Sequence, residues 1–401
     1  MHIAMCGPAT LTLLSDLVKH GNEMPPGYRF PLMSQLVRSY IDYGHKVTLI
    51  THTPEVTETK KWRGEKLTII VVPCRSRAKQ LALDFFRREV KLMADVLQKV
   101  QPDVIHAHWT YEFADAALRA RRFPVLVTAH DAPWRVAKEI NTLYRWIRAA
   151  YAQFLILPRI RHLTTVSPYM AHELKNHHFF NRPISIIPNG IAQTQVVSFA
   201  REHHLNSESP VVTAVSEWGK MKNIIATLHA FDIFRQTHPA AKLLLFGGGL
   251  GPGEAGETYC RDHGIAAGIE FRGYTDQTDI LRELQEHTDI FVHSTLEESF
   301  CMTILEAMSQ GVPCIGGRNS GAVPWLLDKG RAGILTDVRD PQAIANAMNR
   351  LLGSPSLYHQ LSTAALARCR TEFSLQHITT LYLQLLESIA SSGKNCNGYC
   401  A

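Results

Sequence analysis

Two carboxylates stand eight residues apart, Glu298 and Glu306, in the stretch STLEESFCMTILEAMSQG from Ser294 to Gly311. The first belongs to a polar run, Glu297 to Ser299, with turn and capping chemistry. The second lies inside the apolar run that follows, read as a helix from Cys301 to Ser309. A carboxylate among Ile304, Leu305, Ala307 and Met308 is costly to bury without a partner. The positions three and four residues away hold Met302, Thr303, Ser309 and Gln310, and none of these is a cation. Carboxylates so placed can accept hydrogen bonds from a ribose diol and from sugar hydroxyls. The helix start between them offers unpaired N–H groups and a positive dipole end, both of which favour a diphosphate. The chemistry that this spacing supports is the gripping of a nucleotide-linked sugar.

The elements that must position these groups are short β-rich runs alternating with helical patterns, the mark of parallel sheets covered on both faces. Strands are expected at 2–6, 46–51, 67–72, 104–107, 125–129, 163–166 and 184–187 in the first half. In the second half they are expected at 211–215, 242–246, 269–272, 290–293, 313–316 and 333–335. The chain of 401 residues is too long for one typical core and suits two domains of nearly 200 residues. An α/β chain of two Rossmann-like doubly wound domains follows. The first is expected over 1–192 and the second over 193–372, with the join between Asn189 and Pro210. Doubly wound sheets bind ligands at the carboxyl ends of their strands, so a cleft between two such domains is the expected ligand site.

The run ESFCMTILEAMSQGVP resembles the Glu-x7-Glu signature of the family 4 retaining glycosyltransferases, also called glycosyl transferases group 1. IPNGI at 187–191, Lys222 with Asn223, and LLLFGGG at 243–249 follow in the family's order and approximate spacing, so the resemblance spans nearly the whole chain. It implies a GT-B fold, with two Rossmann-like domains facing across a cleft, the first on the acceptor side and the second binding the nucleotide sugar. It also implies that a last helix, here 373–390 with Leu375, Ile378, Leu381, Tyr382 and Leu385 at helical spacing, crosses back to the first domain. The remainder, 391–401, reads as a disordered tail. The activity implied is transfer of a hexose or N-acetylhexosamine from a UDP- or GDP-sugar to a saccharide, lipid-linked saccharide or small-molecule acceptor. The implied mechanism is front-face: the leaving diphosphate helps to deprotonate the acceptor, and neither a protein nucleophile nor a cofactor is needed. No Asp-x-Asp occurs, so no catalytic metal is expected.

The same resemblance assigns site residues. His130, Lys222 and Glu298 are the catalytic candidates: His130, at a strand end, lies near the diphosphate and transferred sugar, and Lys222 contacts the diphosphate. Glu298 and Glu306 bind the donor, with the backbone N–H groups of Phe300, Cys301 and Met302 between them. The base is met by backbone around Gly273, Tyr274 and Thr275. Gly27, in a loop before a helix, brings backbone close to donor and acceptor, or else is a turn residue alone. Of His106 and His108, only one is expected to face the ligand, and His108 is favoured. Two departures stand out. Glu217 occupies the position of a family arginine, leaving Lys220 or Arg272 as the second phosphate contact, and Cys301 occupies that of a family glycine.

Composition sets further bounds. Eight scattered cysteines contain no CxxC pair, which argues against a zinc site and against a disulfide framework. No apolar run approaches the length of a membrane span, and Met1 to Leu14 lacks a signal peptide's basic start, so a cytoplasmic location is expected. The net charge of +6 hides an asymmetry, because residues 1–190 carry 26 Lys and Arg against 15 Asp and Glu. Such a half suits an anionic acceptor or an anionic membrane surface, or is simply a solvated basic face. The basic, aromatic segment from Trp134 to Arg161 could rest on a bilayer or pack as a crossover helix. No nucleic-acid-binding motif accompanies the charge.

Three rival readings remain. Gly251, Gly253 and Gly256 in GPGEAG match a dinucleotide fingerprint, although four residues separate them from the preceding strand. A nucleotide-sugar epimerase with the same fold, or an inactive nucleotide-sugar-binding protein, would share most of the motifs.

Overall fold

The computed structural model describes residues 1–77, 80–81, 84–200 and 209–397. By contacts the chain divides into two compact units, Met1–Gly190 with the helix that begins at Leu375, and Ile191–Ser374. The sequence reading placed these divisions at 192/193 and 372/373.

The first unit is built on an eight-stranded sheet: β1 (His2–Cys6), β2 (Lys46–Thr53), β3 (Lys60–Arg63), β4 (Leu67–Pro73), β5 (Val104–His108), β6 (Val125–Ala129), β7 (His162–Thr165) and β8 (Ile184–Ile186). Their order is β3-β4-β2-β1-β5-β6-β7-β8, parallel throughout except for the antiparallel β3–β4 pair at the edge. Burial on both faces explains the near-continuous apolar runs of the central strands, and helices cover both sides. Among the described residues, β3 is the one strand that the sequence reading missed. Its four residues are KKWR and only Trp62 is buried, so neither an apolar run nor a clean alternation marks it.

The second unit carries a six-stranded parallel sheet: β9 (Val211–Val215), β10 (Lys242–Phe246), β11 (Ile269–Gly273), β12 (Ile290–His293), β13 (Cys314–Gly317) and β14 (Ile334–Thr336), in the order β11-β10-β9-β12-β13-β14. Thirteen strands were expected in the sequence, and each lies within two residues of an observed one.

The helix Leu375–Asn397 belongs to the first unit, where Ile378, Tyr382, Leu386 and Ile389 join Ile3, Met5, Val37 and Tyr40 in one apolar cluster. This corrects the tail reading for 391–397, which continue the helix. Residues 398–401, with Cys400, lie outside the described residues, as do the side chains of 393–397.

Candidate active site

In a doubly wound sheet the strand order reverses at one place, and the loops leaving the two strands there splay apart to admit a ligand. In the second unit that place lies between β9 and β12. The loop after β9 supplies Lys222 and the loop after β12 supplies Glu298, and Lys222 Nζ donates to Glu298 Oε1 at 2.7 Å. Two devices hold these loops. Asn223, in the left-handed region, donates from its amide to the carbonyls of Ser294 and Val338, tying the Lys222 loop to the one after β12. Gly247 and Gly249 let the loop after β10 lie against the loop after β9. A Cβ on Gly247 would stand 1.7 Å from the Ser216 carbonyl oxygen, and one on Gly249 would stand 2.4 Å from Trp218 Cβ.

His293, the last residue of β12, completes the cluster. Its Nε2 lies 3.2 Å from Glu298 Oε1 and 3.3 Å from Cys301 Sγ. Burial alone would raise the Glu298 carboxyl, but the His293 hydrogen bond and the Lys222 charge outweigh it and bring the group down to about 2. Burial would likewise depress His293, yet Cys301 and Glu298 lift it to about 9, so it stays protonated at neutral pH. Sequence reasoning missed this histidine. The available signal was a polar residue closing the apolar strand IFVH directly before the Glu297–Ser299 run.

Cys301 precedes the helix Met302–Ser309 instead of starting it, and its φ of 83° is left-handed, the conformation for which a glycine is suited. The Phe300 ring is buried edge-on against Trp325 and Phe373, so this residue can offer a ligand only its backbone. Glu306 is buried and accepts from the amide of Gln277. That single neutral partner does not offset burial, and its carboxyl rises to about 7. Of the remaining candidates, Tyr274 is exposed beside Gly273, whose φ is +68°, and Lys220 and Glu217 are exposed in the loop after β9. Arg272 pairs with Glu270 at 2.6 Å on the edge strand β11. The rival dinucleotide fingerprint is occupied by its own side chains: Glu254 accepts from the N–H of Gly251, and Glu257 from that of Gly253. Those are the donors that a pyrophosphate would need.

In the first unit the order reverses between β1 and β5. Here the expectation that only one of His106 and His108 can face the ligand side is corrected, because residues two apart on a strand share a face. The two rings stand 4.3 Å apart. His106 is bonded to Tyr40 and Thr128, at 3.1 Å and 2.8 Å. His108 Nδ1 lies 2.9 Å from His130 Nε2, and its own Nε2 is buried without a hydrogen-bond partner. Desolvation holds all three imidazoles well below their usual range, His106 and His130 at about 3. Gly27 has φ +76°, and a Cβ there would stand 2.5 Å from the Ala9 carbonyl oxygen. The local backbone is thus a sufficient reason for this glycine.

The segment 134–161 folds as two short helices, Pro133–Ile140 and Leu143–Tyr151, followed by a wider π-helical turn, Ala152–Ile156, and a 3-10 turn, Leu157–Arg159. Much of its positive charge is spent inside the unit, since Arg135, Arg148 and Arg159 pair with Glu173, Glu112 and Asp115. Leu143, Trp146, Phe154 and Leu155 are exposed. Among the described residues no helix is long and apolar enough to cross a membrane.

Known proteins resemble the chain along most of its length. Residues 32–195 match the family model described as Glycosyltransferase Family 4, and residues 198–368 match the one described as Glycosyl transferases group 1. N-acetyl-alpha-D-glucosaminyl L-malate synthase of Bacillus anthracis is 24% identical over 316 residues, 76% of this chain and 79% of that protein. The lipopolysaccharide core biosynthesis glycosyltransferase LpsE of Rhizobium meliloti is 28% identical over 52% of this chain and 59% of its own length. Among solved structures, sucrose-phosphate synthase of Thermosynechococcus elongatus superposes with a TM-score of 0.78 at 18% identity, covering 98% of this chain and all of that one. Anabaena HepE in complex with UDP and glucose gives 0.67 at 16% identity, over 97% of this chain and 100% of that chain. Two parallel α/β sheets, an ionised Lys–Glu pair at the switch point of the second, and two family models that between them match nearly all of 32–368 lead to one assignment: the chain is a GT-B-fold glycosyltransferase and belongs to family 4 of the group 1 glycosyl transferases.

Proposed function

We propose that the protein is a retaining glycosyltransferase that moves a hexose or N-acetylhexosamine from a UDP- or GDP-sugar to a saccharide, lipid-linked saccharide or small-molecule acceptor. The observation that carries this reading is the Lys222–Glu298 pair at the carboxyl ends of β9 and β12, with Glu298 eight residues before the buried, singly partnered Glu306 of the Met302–Ser309 helix. Glu306 accepts from the ribose diol. Lys222 turns from Glu298 to the diphosphate as it arrives, aided by the N–H groups of Phe300, Cys301 and Met302, and Glu298 is freed for the sugar hydroxyls. Charge then builds on the departing diphosphate, where Lys222 and the helix start lower the barrier. His130, neutral at working pH, donates or accepts a hydrogen bond at the transferred sugar; its Nε2 is engaged by His108, which leaves Nδ1 for that task.

The UDP and glucose of the HepE complex support UDP among the donors, and the malate named for the Bacillus synthase supports a small acceptor as one of the alternatives. The exposed Leu143, Trp146, Phe154 and Leu155 favour an acceptor met at a lipid surface.

A thermal-shift series with UDP, GDP, ADP, CMP and NAD on wild type and Glu306→Ala tests the donor reading. One nucleoside diphosphate is expected to raise the midpoint, an effect of about 2.7 kcal/mol at 100 times its Kd, and the shift should vanish in the variant. A response to NAD alone would overturn the reading. Stereochemistry at the transferred carbon, followed by NMR, decides between retention and inversion.

A further inference from the structure

We propose that His293, Glu298 and Cys301 form a binding site for a soft divalent cation of the zinc type, which inhibits sugar transfer by withholding Glu298 from the donor's sugar hydroxyls. The cation site itself stands on geometry alone; its inhibitory effect rests on the donor reading above.

Among the described residues this is the cluster in which three metal-ligating side chains converge, their ligand atoms all within 4.8 Å of one another. His293 Nε2 is 3.2 Å from Glu298 Oε1 and 3.3 Å from Cys301 Sγ. Zinc bonds of about 2.0–2.3 Å require tetrahedral edges of roughly 3.3–3.7 Å, so the imidazole nitrogen is already spaced from both partners much as a shared ion would hold it. One nitrogen, one sulfur and one oxygen make a donor set that suits zinc and disfavours magnesium or calcium, which take oxygen ligands. Three protein ligands leave a fourth position open to water.

The thiol is there because of an unfavourable backbone. Cys301 holds φ at 83°, a region that costs a residue with a Cβ about 1–2 kcal/mol, and in that conformation its sulfur reaches the histidine. Thr303 Oγ1 lies 3.5 Å from both His293 Nδ1 and Cys301 Sγ, so a hydroxyl borders the cluster beside two of its ligands. Lys222 is the native occupant of the negative charge, with its ammonium 2.7 Å from Glu298. A divalent ion would take its place on the carboxylate, the Cys301 thiol proton and the imidazolium proton would pass to buffer, and no redox change would occur. With Glu298 committed to the metal, the sugar hydroxyls would lose their acceptor.

Cobalt(II) is the probe. The full chain carrying Cys396→Ser and Cys400→Ser, which removes thiols outside this site, is titrated with Co2+ in a thiol-free reductant. A near-ultraviolet thiolate-to-cobalt band and visible bands of a tetrahedral ion are expected to saturate together at one equivalent. Cys301→Ser should abolish the near-ultraviolet band. His293→Ala should weaken binding by at least the roughly 10–100-fold that follows loss of a mere supporting group. The absence of a thiolate band at one equivalent, or its survival in Cys301→Ser, would overturn the site. Should that variant fold poorly, alkylation of Cys301 in the unaltered chain decides the matter: one equivalent of Zn2+ should slow it at least tenfold by the same scale, and an unchanged rate overturns the proposal. Zn2+ should also remove the extra thermal shift that the nucleotide sugar gives over its nucleoside diphosphate, because Glu298 is the acceptor for the sugar hydroxyls, and an extra shift that persists overturns the inhibition. If no nucleotide shifts the metal-free protein, it is the donor reading that fails, and the cobalt spectrum still decides the metal site.

Discussion

At the carboxyl ends of its two sheets the molecule buries clusters of similar size but opposite electrical character. In the first unit, His106, His108 and His130 sit among Tyr40, Thr128 and Phe30 with no carboxylate bonded to them, and desolvation keeps all three neutral. In the second, Lys222, Glu298 and His293 are also largely withdrawn from water, yet each holds a charge because the others compensate it. Burial opposes ionisation in both places, so the partner set alone decides the outcome. Glu306 is the intermediate case, a carboxylate whose one partner is an amide and whose carboxyl accordingly rests near 7. A neutral cluster can orient a substrate through hydrogen bonds; only the charged one can answer the negative charge that develops on a departing diphosphate.

The sharpest break of this contrast is removal of Lys222. Lys222→Ala should lower turnover by roughly 10²–10³-fold, since the developing charge loses its cation, and steady-state transfer with the natural donor measures it. A loss below tenfold would mean that Lys220 or Arg272 carries the phosphate.

Glu306 gives the next largest effect, and its sign is opposite for stability and for binding. Its folded value is raised from the usual 4.5 to about 7, so stability falls as pH climbs through that window and stays low above it. Glu306→Gln, which cannot ionise, should therefore be more stable than wild type at pH 8 by about 3 kcal/mol, while losing most nucleotide affinity. Urea unfolding at pH 5 and pH 8 checks the first claim, and the gain should be nearly absent at pH 5. In wild type, nucleotide binding should weaken as pH drops below about 7 and should release a proton, which calorimetry in two buffers detects.

The neutral cluster should behave otherwise. His130→Ala is expected to cost about 1.5–3 kcal/mol of transition-state stabilisation, a ten- to hundredfold drop in turnover, with donor KM little changed. Imidazole NMR signals of His106 and His130 should not titrate between pH 5 and 8. An inflection near 6.5 from either would dissolve the contrast.

The smallest effect belongs to Cys301→Gly. Relief of a left-handed backbone, about 1–2 kcal/mol, is offset by glycine's extra unfolded-state freedom, about 0.5–1 kcal/mol, so the net change in stability should stay within about 1.5 kcal/mol.

What the amino-acid order determined by itself was everything governed by local period and composition. Parallel strands buried on both faces read as apolar runs, so thirteen of the fourteen strands among the described residues were legible, and KKWR was not, because an edge strand needs neither an apolar run nor alternation. The Glu-x7-Glu spacing and the lone carboxylate in an apolar helix were equally visible, because they depend on positions a few residues apart. Tertiary structure alone decided which groups meet. Lys222 and Glu298 are 76 residues apart in sequence, and His108 and His130 are 22 apart. The order of strands about each switch point brings them together, and no sequence period encodes that order. His293 acquired its place in the same way: a histidine ending an apolar strand is unremarkable until the fold sets Glu298 and Cys301 against its ring. The protonation states follow from those meetings, because a pKa reports a surrounding and not a residue type.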